Sequence, residues 1–256
     1  MLKALLERAI QPDLVIGTSI GAVNGAFVAA DPQPATAARL EQLWREMTAV
    51  FSGSLLRRAG TFARTRTHLH SFGPLRAMLR EALPVERIED LPVPFQCVAA
   101  SIERAAEHWF TEGPLADAVL ASCAVPGLLP PVRIGDEHFL DGGLVHSIPV
   151  GRAVALGAST VYVLQVGRVE QPLKPPRLPW QVGLVAFEIA RRHRYASDMA
   201  SIPPDVTVHV LPVGEDPPRY DSRAALAYRD MSTVGTRVDR AYEASLAYLT
   251  EQADQP

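Results

Sequence analysis

The spacing of apolar positions divides the chain into alternating helices and strands. Leu2, Leu5, Leu6, Ala9 and Ile10 recur at helical spacing opposite Lys3, Glu7 and Arg8, which predicts a first helix that Pro12 stops. Leu14, Val15 and Ile16 follow as a short run of buried-strand character, and the small residues after Ser19 read as a helix. Asp31-Pro32-Gln33-Pro34 breaks the chain before a helix over residues 35–49, built around Leu40, Leu43, Trp44 and Met47. Gly73-Pro74 opens a further helix to residue 83. Residues 95–102 form a continuous apolar run and predict a central buried strand, and His108-Trp109-Phe110-Thr111 predicts a shorter one. Helices are expected over 115–122, 150–156 and 181–199, strands over 138–141, 160–166 and 206–211. A helical tail at about 221–253 closes the chain. Strands alternating with helices argue for a single α/β domain over residues 1–256, with a mostly parallel sheet covered on both faces.

Composition changes this picture mainly by exclusion. The 48% hydrophobic and 21% charged content is that of an ordinary globular protein, and a net charge of −3 gives no general affinity for nucleic acid. Cys97 and Cys123 lie far apart in apolar surroundings, as buried thiols in a reducing compartment, and no metal-ligand spacing is present. No run reaches membrane-spanning length and the N-terminus lacks signal-peptide design, so a cytoplasmic location is expected. Between residues 47 and 80, Arg57, Arg58, Arg64, Arg66, Arg76 and Arg80 occur without one acidic residue. That stretch is either a solvated helical face or a basic surface over 57–80 that makes peripheral contact with anionic lipid head groups. The proline-rich residues 167–180 form a long connection, in position for a mobile cover.

The chemistry concentrates at two points. Gly17-Thr18-Ser19-Ile20-Gly21 sits where the first strand runs into a helix. A serine at so sharp a turn is held in a strained backbone conformation, and glycines two positions away on either side avoid clashes. The turn lifts the hydroxyl beside a helix N-terminus, whose free N–H groups, that of Ile20 among them, favour developing negative charge. This pattern reads as a nucleophile elbow; the plainer reading is a strand-to-helix turn with a capping hydroxyl on Thr18 or Ser19. At the second point a short strand delivers Asp141 directly before Gly142 and Gly143, which as structure alone is a turn. A serine hydroxyl needs a base to react. His209 or His193 would supply a Ser-His-Asp esterase of α/β-hydrolase type. Asp141 itself would serve if held close to the hydroxyl and shielded from water. The strand–helix turn lacks the G-x-G-x-x-G of dinucleotide sites.

Three stretches, Gly17-Thr18-Ser19-Ile20-Gly21 with Asn24-Gly25, the Ala-Ser-Cys-Ala-Val-Pro segment ending in Pro130-Pro131, and Asp141-Gly142-Gly143 with Ile148-Pro149-Val150, together resemble the patatin-like phospholipases. The likeness spans roughly residues 1–165. It implies a three-layer α/β sandwich and hydrolysis of lipid acyl esters through a covalent acyl-enzyme, without metal or cofactor. By position, Ser19 would be the nucleophile and Asp141 the general base. Gly17, Ile20 and Gly21 would form the elbow and oxyanion site, Gly142 and Gly143 would flank the base, and Pro126, Leu128 and Leu129 would line an acyl pocket.

One departure bears on activity. Members of that family carry a first strand and a glycine-rich loop upstream of the helix that here begins at Met1, and the loop supplies oxyanion N–H groups. Its absence leads to the expectation that the 256 residues are a truncated form of a longer reading frame. Three functions therefore stand: a serine lipid acyl hydrolase, a lipid- or partner-binding protein that retains the fold without catalysis, and a triad esterase.

Overall fold

The computed structural model describes residues 1–51, 66–165, 172–214 and 234–253. The first helix, α1 (Leu2–Glu7), turns Ala4, Leu5 and Leu6 inward and leaves Lys3 and Glu7 toward solvent. It ends earlier than Pro12 would require, because Ala9 adopts a left-handed backbone with φ of 55° that no helix continues. β1 (Val15–Gly17) leads into α2 (Ile20–Ala30), followed by α3 (Pro34–Phe51) and α4 (Gly73–Ala82). Next come β2 (Phe95–Ser101), β3 (Ala106–Phe110), α5 (Leu115–Ser122), β4 (Val132–Ile134), β5 (Glu137–Asp141) and a 3₁₀ turn, Gly142–Leu144. The described chain closes with α6 (Val150–Ala155), β6 (Thr160–Val163), α7 (Pro179–Ala200), β7 (Thr207–Val210) and α8 (Val234–Ala253).

β2 is the organising strand, as its unbroken apolar sequence predicts. It runs parallel to β1, with Val15 opposite Phe95 and Gly17 opposite Cys97. Ala99, Ala100 and Ser101 are paired on both sides, with β3 on one and β5 on the other, both antiparallel. β4 pairs antiparallel with β5 through the Gly135-Asp136 turn and completes a five-stranded sheet. The hairpin was not legible in the periodicity, since Val132, Arg133 and Ile134 are too few to show an alternation. β6 and β7 form a separate parallel pair, and among the described residues no strand pairing joins them to the larger sheet.

Two hydrophobic clusters follow this division. The larger holds Phe27 of α2, Leu79 of α4, Cys97 of β2 and Leu115 and Leu120 of α5. Asn24-Gly25 lets α2 lie close on the sheet: a Cβ at Gly25 would stand 3.0 Å from Val15 and 3.1 Å from Phe95. The smaller cluster joins Ala4 and Leu5 of α1 to Leu211 and to Leu249 of α8, with Tyr162 and Tyr242 packed against it. The strand expected over 160–166 is shorter, and Thr160 is exposed and Val161 and Tyr162 only partly covered rather than buried, because a two-stranded sheet has cover on one side. Val166 and residues 167–171 of the proline-rich connection, Arg57, Arg58 and Arg64 of the basic stretch, and residues 221–233 of the expected tail lie outside the described residues. Within that basic stretch Arg66 and Arg80 are exposed, whereas Arg76 is engaged in an ion pair with Asp117.

Candidate active site

The turn between β1 and α2 places Ser19 with φ 55° and ψ −124°, a conformation that costs a non-glycine residue about 1–3 kcal/mol. One hydrogen bond contributes only about 1 kcal/mol net, so several anchors are needed to hold it. The structure supplies them. The Ser19 N–H donates to Ser122 Oγ at 2.9 Å, and the Ala22 and Val23 N–H groups donate to the Ser19 carbonyl. The Thr18 hydroxyl donates to the His146 carbonyl at 2.8 Å. Neither hydroxyl caps α2, so the plainer reading of this turn does not hold.

The Ser19 hydroxyl instead donates to Asp141 Oδ2 at 2.6 Å, across 122 residues of sequence. β5 delivers Asp141 to this position because it pairs with β2, where Ala99 stands opposite Asp141. The Asp141 N–H is fixed by the Ala124 carbonyl, and its second oxygen, Oδ1, accepts the Gly143 N–H at 2.7 Å. Gly142 is a requirement of packing. A Cβ there would lie 2.8 Å from the Val98 carbonyl carbon and closer still to its oxygen. At Gly143 a Cβ would meet Phe187 of α7 at 2.8 Å. Gly17 is equally constrained, whereas Gly21 has no atom within 4 Å of a notional Cβ, so only the first glycine of the elbow is demanded sterically.

Asp141 is 1% exposed, and this burial pushes its carboxyl from 3.8 up to about 6, although the Ser19 and Gly143 hydrogen bonds and the Arg191 charge pull the other way. A reaction in which Asp141 accepts a proton should therefore show a single acid limb near pH 6 in kcat/KM, rate rising with pH as the carboxyl ionises. A limb near 4, or a bell set by histidine, would contradict this assignment. Cys123 is buried, and that burial together with the Asp141 charge holds its thiol well above the ordinary value, so it stays protonated.

Other expected residues are placed as follows. Ile20 opens α2, so its N–H has no intrahelical acceptor, and the residue is exposed beside the nucleophile. Pro126 is exposed, Leu128 is half-buried with its carbonyl bound by the Leu69 and His70 N–H groups, and Leu129 packs into the main core. A cavity of about 290 Å³ lies elsewhere, lined by His108, Trp109, Phe110 and Ile134 among others, and includes neither Ser19 nor Asp141. His209 is not brought to Ser19: in the separate sheet it stacks on Tyr162 at 4.9 Å, and its Nδ1 bonds Tyr248 of α8. His193 faces solvent on α7. Sequence reasoning missed Ser122, Arg191 and the buried His146, whose ring contacts Glu107 at 2.6 Å and lies 3.6 Å from Asp198. Only their tertiary neighbours distinguish them from ordinary core or helix residues.

The patatin-like phospholipase family matches residues 1–154. Lysophospholipase NTE1 of Candida glabrata is 30% identical over 184 residues, covering 68% of this chain and 10% of that protein. Patatin-like phospholipase domain-containing protein 6 of Homo sapiens is 32% identical over 173 residues, covering 67% of this chain and 12% of that protein. The chain thus spans about a tenth of the length of the curated relatives it matches. With its elbow serine bonded to the aspartate of Asp141-Gly142-Gly143 on an α/β sheet, the chain belongs to the patatin-like phospholipase family.

Proposed function

We propose that this chain is a serine lipid acyl hydrolase that cleaves carboxylic esters of lysophospholipid type through a Ser19–Asp141 dyad. The observation that carries the proposal is the 2.6 Å bond between the Ser19 hydroxyl and a carboxylate whose basicity is raised by burial. Ser19 Oγ attacks the ester carbonyl as its proton passes to Asp141 Oδ2. The carbonyl oxygen becomes an oxyanion, and the Ile20 N–H and the α2 N-terminus are the local donors placed to receive it. Collapse breaks the bond to the alcohol, which leaves with the proton returned from Asp141, and Ser19 holds the acyl group as an ester. Water then attacks that ester, giving its proton to Asp141, and the acid departs as Ser19 recovers its hydrogen. Pro126 and Leu128, exposed and half-buried in the segment that follows Ser122, are the side chains offered to the acyl chain. The lysophospholipid class is taken from the names of the relatives.

The proposal is tested by hydrolysis of a short-chain aryl ester and of lysophosphatidylcholine by the chain and by Ser19→Ala. Both activities are expected to fall by at least about 1,000-fold in the variant, as for loss of any covalent nucleophile. A folded chain inactive on both esters would favour the binding-protein reading instead.

A further inference from the structure

α7 is folded with its polarity inverted. Most of its charged residues face the protein: Glu188 accepts from Arg191 at 3.2 Å and Arg192 at 3.3 Å, and Asp198 accepts from the Gly151 N–H and from Arg194, which itself stands exposed. Phe187 on this inner side abuts Gly143, and the Arg191 charge reaches Asp141, so the helix lies directly beside the dyad. The outer side is apolar. Val182 and Ile189 are each 55% exposed, with Ala186 exposed between them and Leu178 exposed one turn before. Positions 178, 182, 186 and 189 fall on one stripe of a helical surface.

The exposed charges carried by residues 172–200 themselves have one sign, with Asp205 and Glu107 the acidic neighbours beyond the helix's C-terminal end. Lys174 and Arg177 are exposed at its N-terminal end, and Arg194, with His193, at its C-terminal end. The only carboxylates between residues 172 and 200, Glu188 and Asp198, have side chains 17% and 10% exposed and are spent on arginines within the helix. A surface meant for a basic or mixed protein partner would show acidic groups at its rim. An apolar stripe whose own exposed charges are all cationic, Lys174 and Arg177 foremost, instead matches the acyl and head-group layers of an anionic lipid surface.

We infer that the outer face of α7 seats this protein on an anionic lipid surface, with Leu178, Val182 and Ile189 entering the acyl boundary and Lys174, Arg177 and Arg194 at the phosphates. Seated so, the helix brings Asp141 and Ser19 to the interface where lipid substrates reside. The seat itself does not depend on the proposed catalysis. It is tested with the Ser19→Ala chain, so that binding is read without turnover, by co-sedimentation with vesicles of phosphatidylcholine alone and with about one third phosphatidylglycerol. The chain should bind the anionic vesicles, less tightly as salt rises, and Val182→Asp/Ile189→Asp should weaken binding by at least about tenfold. Lys174→Glu/Arg177→Glu should remove most of the salt dependence. On a Ser19 background, the same Val182→Asp/Ile189→Asp pair should leave hydrolysis of a monomeric aryl ester unchanged, which also reports that the variant is folded; Val182→Gln/Ile189→Gln is the milder companion. Equal binding by parent and variants overturns the inference, as does binding to neither vesicle. Loss of binding only in Arg57→Glu/Arg58→Glu would assign the contact to the arginine-rich stretch, and a dimer that the α7 variants dissociate would make the face a protein interface.

Discussion

Asp141→Asn is expected to abolish activity and at the same time to stabilise the fold. Loss of the carboxylate proposed as base should lower kcat by about 10,000-fold, the upper end of what one general base supplies. The stability effect follows from the same carboxyl. Its folded pKa of about 6 stands above the ordinary 3.8, so folding takes up a proton between these values and stability falls as pH rises through that window. Above it, the ionised and buried group costs on the order of 3 kcal/mol. Asparagine keeps both hydrogen bonds, its carbonyl accepting from Gly143 and its amide donating to Ser19, and carries no charge to bury. A gain of about 1–3 kcal/mol at pH 8 is expected, or roughly 2–4 °C in Tm per kcal/mol, shrinking to nothing below about pH 4. The check is a pair of thermal melts at those two pH values beside a rate assay. An inactive variant with no gain in Tm would mean that Asp141 is better solvated than its burial implies; an active one would hand the base to another residue.

Gly17→Ala should disable the protein where Gly21→Ala does not, although the two glycines look equivalent in Gly-x-Ser-x-Gly. A Cβ at Gly17 would lie 2.5 Å from Ala22 Cα and 2.7 Å from the Ala22 nitrogen, with the Gly21 carbonyl oxygen closer still. These are backbone atoms of α2, so relief requires moving the helix off β1, and with it the Ser19 bonds to Ser122 and Asp141. A loss of about 3 kcal/mol or more is expected, together with nearly all activity. At Gly21 no atom stands within 4 Å, and alanine in the first turn of α2 should be neutral or stabilising by up to about 1 kcal/mol. Chemical denaturation and aryl-ester hydrolysis of the two variants decide the matter. Equal damage at both positions would show that Gly21 is reserved for an approaching substrate or backbone.

These expectations show what a sequence can and cannot convey. The elbow was legible because strand, glycine and helix lie within about fifteen consecutive residues and each follows local rules. The helices at 73–82, 115–122 and 150–155 were legible for the same reason: proline marks their starts and apolar spacing their inner faces. The Asp141 partnership was not derivable from spacing alone, since 122 residues separate it from Ser19; the residues left it as one alternative beside a histidine base, resemblance favoured it, and β5 pairing with β2 supplies its physical cause. Ser122 was invisible, because one hydroxyl in an apolar segment gives no sign that it will accept the nucleophile's own N–H. α7 was legible as a helix but not in orientation. Patterning tells which residues share a stripe, and ordinary burial preference would turn Arg191 and Arg192 outward, whereas their bonds to Glu188 let them face the protein.

The division of the strands into two sheets bears on how freely different parts of this sequence can diverge. A slip of register in β2 or β5 would carry Asp141 away from Ser19, since hydrogen-bonded pairing links them residue by residue. A slip between β6 and β7 would meet no such link among the described residues, where contacts such as those of α7 at Gly143 and of α1 on α3 tie that half to the sheet that holds Ser19 and Asp141. Substitutions, length changes and even replacement of elements can therefore accumulate around β6, β7 and α8 while the dyad keeps its geometry. The front of the molecule is held to its sequence by chemistry, and the back only by the need to cover Leu5, Leu211 and Leu249.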